Sequence, residues 1–150
     1  RIGVTEPEAT FSACFGEPFM PMHPGVYADL LSSKMAEHGS TAWLINTGWS
    51  GGSYGVGSRM KIKYTRAMLN AALDGELNDV EYVIDDRFGF EIPKSCPGVP
   101  AEVLLPRQTW EDGDAYDATA DKLAAMFNKN FERYSAGVSD EVNSASPSIS

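Results

Sequence analysis

The densest concentration of residues suited to chemistry lies between positions 48 and 66. Gly48-Trp49-Ser50-Gly51-Gly52-Ser53-Tyr54-Gly55-Val56-Gly57-Ser58 is a glycine-dense loop, and Arg59-Met60-Lys61-Ile62-Lys63 follows it directly. Glycines let backbone N–H groups approach an anion closely, and a guanidinium offers a forked donor to phosphate oxygens. Gly52 to Arg59 follows the spacing of a phosphate-binding P-loop up to a point. That pattern needs Gly-Lys-Ser/Thr, however, where this sequence has Gly57-Ser58-Arg59. A flexible surface turn is the plainer reading of the loop. Lys61 and Lys63 share a face with Arg59 if the basic–apolar alternation forms a strand, giving a small positive stripe that suits a nucleotide tail or simply solvent.

Other constellations are weaker. A metal site from Cys14, His23, His38 and Cys96 requires unrelated segments to converge, and their spacings match none of the short pairs typical of zinc sites. His23, between Met22 and Pro24, reads as a packed or capping histidine. A Cys14–His23 nucleophile lacks any identifiable orienting group. Asp85 and Asp86 are adjacent and point apart on a strand, which makes them a poor acid–base pair.

The elements that must position the loop follow from periodicity and punctuation. From Thr5 to Pro24, prolines and glycines interrupt any regular element, and Phe11, Phe15 and Phe19 predict a shaped loop whose aromatics pack. Val26 to His38 has helical spacing of Val26, Leu30, Leu31 and Met35, with Pro24 before it and Gly39 after it. Ala42 to Ile45 has the length and composition of a buried strand, and Arg59 to Lys63 those of a half-exposed one. Thr65 is expected to cap a helix that carries Ala67, Met68, Ala71 and Ala72 and ends at Gly75. Short strands are predicted over Val80–Ile84 and Phe88–Ile92, followed by an irregular, proline-rich crossing from Pro93 to Pro106. A last helix is expected from about Asp117 to Tyr134 with Leu123, Phe127, Phe131 and Tyr134 as its apolar stripe. Ser135 to Ser150 lacks apolar spacing and reads as a mobile tail.

Composition narrows the function classes. A net charge of −9 and a pI near 4.6 exclude a general nucleic-acid or anionic-membrane surface, so any phosphate site must be local. Two cysteines in a chain with an adequate apolar content read as reduced thiols of an intracellular protein. No apolar run approaches the ~20 residues needed to cross a bilayer. The opening on Arg1 rather than Met, with the apolar pattern starting at once, is that expected of a chain that begins mid-protein.

Three groups of residues carry a resemblance. Thr5-Glu6-Pro7-Glu8-Ala9-Thr10-Phe11-Ser12-Ala13-Cys14-Phe15-Gly16, then His23-Pro24 with Tyr27-Ala28, then Asn46-Thr47-Gly48-Trp49 are similar, in order and spacing, to the ATP-dependent phosphoenolpyruvate carboxykinases. The similarity continues through the glycine loop, Arg59 to Ile62, Thr65-Arg66 and the helix near Leu123 to Tyr134. The resemblance implies an α/β fold. Residues 1–134 would form part of the C-terminal mononucleotide-binding domain of a two-domain carboxykinase, with a mixed sheet and flanking helices. It implies reversible conversion of oxaloacetate and ATP to phosphoenolpyruvate, CO2 and ADP in gluconeogenesis, with Mg2+ and Mn2+ beside the phosphates. Arg59, Met60 and Thr65 stand where the family contacts ATP, with Met60 replacing an Ile found in many members. The resemblance places no catalytic residue or metal ligand in this segment, since the family's P-loop, metal ligands and oxaloacetate-binding arginines would lie upstream of Arg1. It also implies a cytoplasmic location, the rest of the parent polypeptide as partner, and compatibility with an oligomer. A non-catalytic nucleotide- or anion-binding α/β module and a purely structural domain remain as alternatives.

Overall fold

The computed structural model describes Gly3 and residues 8–149, and Thr5, Glu6 and Pro7, which open the aromatic loop, lie outside them. The chain divides into two units, residues 1–42 with 125–147 and residues 43–124 with 148–150.

In the first unit, helix α1 (Pro24–His38) forms as its punctuation predicts. Pro24 occupies the first turn, where its missing N–H costs nothing, and the His23 ring accepts from the Gly25 N–H at 3.1 Å as the cap. Gly39 closes the helix at φ 62°, the left-handed conformation that a residue without Cβ adopts freely. Gly25 is buried against the Gly137 carbonyl and the Val138 side chain, leaving no room for a Cβ. Val26, Leu30 and Leu31 on this helix, by contrast, face outward, with Leu31 61% exposed, while Met35 is half-buried. Phe11 packs edge-to-face on Phe127 with ring centroids 5.1 Å apart. Phe15 and Phe19 do not follow it, and both are exposed around a 3-10 turn at Glu17–Phe19.

The Ser-rich end of the chain contains regular structure that its composition did not reveal. A 3-10 turn at Ser135–Gly137 precedes a short helix over Asp140–Ser144, capped by the Ser139 hydroxyl accepting from the Val142 N–H. Asp140 and Glu141 in its first turn complement the helix dipole. Capping, rather than apolar period, nucleates this element.

The second unit carries two antiparallel ribbons in place of the expected mixed sheet. Strands β1 (Trp49–Ser50) and β2 (Ser58–Arg59) pair Trp49 with Arg59 and Ser50 with Ser58. Strands β3 (Tyr82–Ile84) and β4 (Glu91–Pro93) pair Val83 with Ile92. Their turn is set by Asp85, whose carboxylate accepts from the N–H groups of Arg87 and Phe88 at 3.1 and 2.7 Å. Residues 42–45 form no strand, because an apolar run becomes one only if a neighbour completes its hydrogen-bond ladder. Trp43 instead packs sideways on the core, while Leu44 is exposed.

Helix α2 (Ile62–Leu73) starts a turn earlier than expected, with Lys61 at its N-cap, so β2 ends at Arg59 and Thr65 lies inside the helix rather than capping it. A five-residue alternation fits a strand and the approach to a helix equally well, and the uninterrupted run after Ile62 decides for the helix. The proline-rich crossing also contains helical turns, α3 (Ala101–Leu104) and α4 (Pro106–Thr109), started at Pro100 and Pro106. Helix α5 (Gly113–Phe131) begins four residues before the expected Asp117, since Asp112 accepts from the N–H groups of Asp114 and Ala115. Ala120 and Ala124 are its buried residues, and the expected stripe at Leu123 and Phe127 is partly exposed. The core gathers Ala71, Leu77, Cys96 and Leu104, with Trp43, Met68, Ala72, Ile92 and Val99 against it.

A polar cluster holds these short pieces together. Arg107 is bidentate on Asp117, with contacts of 2.9 and 3.1 Å. The half-buried Arg87 reaches Asp121 at 2.6 Å and Asp117 at 3.4 Å. The hydrogen bond from Arg107, aided by the charges of Arg107 and Arg87, holds the Asp117 carboxyl below its ordinary value of 3.8. A depressed carboxyl contributes stability that is fully present above 3.8 and is lost as pH falls through the lower folded value. Asp117→Asn is therefore expected to lower the chain's unfolding midpoint at pH 7 and to flatten the loss of stability below about pH 4. Parallel acid titrations of both chains followed by circular dichroism check this, and an unchanged acid limb in the variant counts against the role of Asp117.

Candidate functional site

The β1–β2 ribbon and the start of α2 place the sequence-predicted residues close together in the chain and in one unit. Arg59 ends β2 and is exposed, Met60 follows it half-buried, and Thr65 is half-buried inside α2. The Met60 N–H donates to the Gly48 carbonyl at 3.0 Å, so the backbone beside Arg59 is tied to the residue that opens the glycine loop. Gly48 is fixed in turn by donating to the Asn46 side chain at 3.0 Å.

The glycine loop is internally braced rather than arranged as a P-loop. Val56 and Gly57 N–H groups both donate to the Ser53 carbonyl, at 3.0 and 2.9 Å, and Gly51 N–H donates to the Thr109 hydroxyl at 3.0 Å. Those three amides are therefore committed within the protein. Gly51 and Gly55 adopt φ of 79° and 88°, which explains glycine at both. At Gly57 the reason is steric, since a Cβ would run into the Gly52 carbonyl oxygen and lie 2.8 Å from that of Ser50. Trp49 packs edge-to-face on Tyr54 across the loop, with centroids 5.5 Å apart.

The cations behind the loop distinguish the site. Arg59, Lys61, Lys63 and Arg66 form a cluster in sequence that takes part in none of the ion pairs among the described residues; Lys122 on α5 likewise takes part in none, whereas Lys34, Arg87, Lys94, Arg107, Lys129 and Arg133 all do. Lys61 and Lys63 instead lie over the Tyr64 ring, at 5.8 and 5.0 Å from its centroid. Helix α2 has no acidic residue in its first turn and no side-chain cap. Cations and free N–H groups at the positive end of a helix are an arrangement that favours an incoming anion.

The remaining candidates do not assemble. Cys14 is exposed and Cys96 buried, both as free thiols, and burial pushes the Cys96 thiol up. His23 acts as the α1 cap and packs on Tyr134. Asp85 orders a turn. Among the described residues no group of three or more His, Cys, Asp or Glu side chains is placed to hold a metal ion, and no helix is long and apolar enough to cross a membrane.

The family model for phosphoenolpyruvate carboxykinase matches residues 1–102. This chain belongs to that family. Among curated relatives named phosphoenolpyruvate carboxykinase (ATP), the protein of Geotalea uraniireducens is 62% identical over 140 residues, 93% of this chain and 26% of the relative. That of Brucella anthropi is 59% identical over 147 residues, and that of Thermus thermophilus 57% over 145 residues. These alignments cover 98% and 97% of this chain and 27% of either relative. The chain thus spans about a quarter of the length of the carboxykinases it matches.

Sequence reasoning located the carboxykinase segment with the free cations but passed over Thr109. Its contact with Gly51 spans 58 positions, and no local spacing marks it. The steric role of Gly57 leads to a direct expectation. Gly57→Ala should destabilise the chain by about 1–3 kcal/mol through overpacking, more than Gly55→Ala, whose Cβ would meet open space and bring only the strain of its positive φ. Urea denaturation of the two variants tests this order.

Proposed function

We propose that this chain is the C-terminal portion of a longer cytoplasmic carboxykinase that converts oxaloacetate and ATP to phosphoenolpyruvate, CO2 and ADP, supplying part of its ATP pocket. The observation that carries this reading is the stretch from Arg59 to Arg66, four exposed or half-exposed cations without ion pairs in a chain of net charge −9. Family membership supports it independently.

In that reaction loss of CO2 leaves an electron pair that becomes the enolate of pyruvate. The enolate oxygen then bonds to the γ-phosphorus as the bond to the ADP oxygen breaks. Phosphoryl transfer of this kind depends on positioning and charge neutralisation rather than on a protein nucleophile. Arg59 suits the neutralising role, because its forked guanidinium can engage two phosphate oxygens. Met60, held through its backbone to Gly48, offers a main-chain and apolar contact, and Thr65 a hydroxyl towards the nucleoside. Divalent ions such as Mg2+ and Mn2+ would neutralise phosphate charge when bound. Their ligands are assigned to the rest of the parent chain, where the family resemblance puts them.

The parent chain also accounts for the apolar surface. Of the large aliphatic side chains among the described residues, only Leu77 and Leu104 are buried, while Leu30, Leu31 and Val26 stand exposed along α1. We assign the α1 face to contact with the remainder of the carboxykinase, as residues 1–134 form part of its C-terminal nucleotide-binding domain.

Two tests follow. In the full-length enzyme, Arg59→Gln should raise the KM for ATP about tenfold, the loss expected of a charge-assisted hydrogen bond, and leave that for oxaloacetate nearly unchanged. Equal effects on both would indicate a folding defect, and phosphoenolpyruvate formation by the 150-residue chain alone would refute the division of labour. Leu31→Glu should change the stability of the 150-residue chain by no more than about 0.5 kcal/mol but destabilise the full-length enzyme by roughly 1–3 kcal/mol. Denaturation of both forms decides it, and equal small effects would remove α1 from the interface.

A further inference from the structure

Gly51 is fixed from outside its own loop. Its N–H donates to the Thr109 hydroxyl at 3.0 Å, and a Cβ there would lie 3.2 Å from the Thr109 carbonyl oxygen. The same hydroxyl donates to the Pro106 carbonyl at 2.7 Å. With one partner to accept from and one to donate to, its orientation is determined. Thr109 ends α4, and α4 is anchored through Arg107, which is bidentate on Asp117. The Arg107 guanidinium also lies across Gly113, where any Cβ would come within 3.0 Å of it.

This chain of contacts reaches Arg59 through the ribbon. Gly51 follows Ser50, which pairs with Ser58, and the next pair along joins Trp49 to Arg59. A ribbon of two residues per strand cannot hold itself. Its position, and that of the guanidinium at its end, must come from ties such as those at Thr109 and at Met60.

We propose that Thr109 is a positioning residue for the nucleotide contact of Arg59, with the Arg107–Asp117 ion pair setting Thr109 in place. This rests on the reading of Arg59 given above. Without the hydroxyl, the part-buried Gly51 N–H loses its acceptor, and the loop must be ordered when nucleotide binds rather than beforehand. Such a cost falls on binding and leaves steps after binding largely untouched.

The experiment compares Thr109→Val, Thr109→Ser and Arg59→Gln in the full-length enzyme, with the Thr109→Val/Arg59→Gln double variant. Thr109→Val is expected to raise the KM for ATP about fivefold, the factor of one lost hydrogen bond. It should hold kcat within about twofold and leave the KM for oxaloacetate unchanged. Thr109→Ser should restore the wild-type value. In the double variant the Thr109 change should add little to Arg59→Gln, because both act through one contact. If Arg59→Gln weakens ATP while Thr109→Val does not, the positioning role is overturned and the Arg59 reading stands. If Arg59→Gln leaves ATP untouched, the reading beneath the inference is lost with it. A loss in kcat and both KM values that Ser does not rescue, or an additive double variant, would reduce Thr109 to general stability.

Discussion

Asp117 accepts from the Arg107 guanidinium and is ion-paired with that of Arg87, and the arrangement of the second unit depends on that shared carboxylate. Arg107 brings α4 to it, Arg87 brings the β3–β4 turn, and Asp117 itself stands in the first turns of α5. Isolated surface ion pairs contribute little, about 0–1 kcal/mol, because solvent screens them and long side chains lose entropy. A bidentate contact within a network of two arginines and two aspartates is a different case, since each group restricts the others. Asp121 extends the network by holding Arg87 at 2.6 Å. The effect is as much geometric as energetic.

The need for such ties follows from how small the elements are. Helices of four residues, such as α3 and α4, satisfy almost none of their own hydrogen bonds, and helix nucleation alone is unfavourable. Two-residue and three-residue ribbons are no better placed. The small core of Ala71, Leu77, Cys96 and Leu104 supplies only part of the compensation. Specific polar contacts over long sequence distances supply another part: Gly51 with Thr109, and Arg87 with Asp121. An apolar surface as large as that along α1 is consistent with a third contribution from outside this chain.

What the sequence revealed and what it hid divide along the range of the interactions involved. Helix α1 was legible because Pro24, Gly39 and the apolar spacing are all local signals. Strands β3 and β4 were legible to within three residues for the same reason. Ala42 to Ile45 misled because an apolar run does not state whether a partner strand exists. The early start of α2 was hidden by an alternation too short to separate two periods, and the start of α5 by a cap at Asp112 that preceded the apolar pattern. The carboxykinase family was legible from its motifs, and the cluster of cations after the glycine loop from its spacing, though not their freedom from ion pairs. Thr109 was not, since a hydroxyl becomes a brace only when folding delivers Gly51 to it.

The placement of the cations carries a further energetic point. Lys61 and Lys63 flank the positive end of α2, where each cation is disfavoured by a few tenths of a kcal/mol and acidic residues would normally sit. The chain carries 21 Asp and Glu residues, yet none stands in that first turn. An anion placed there would relieve the repulsion among the cations and with the helix dipole while gaining its own attraction. Part of its binding free energy would then come from strain already present in the folded chain. A carboxylate in the same turn would have stabilised the helix and removed that contribution, so at this end of α2 the requirements of folding and of anion binding oppose each other.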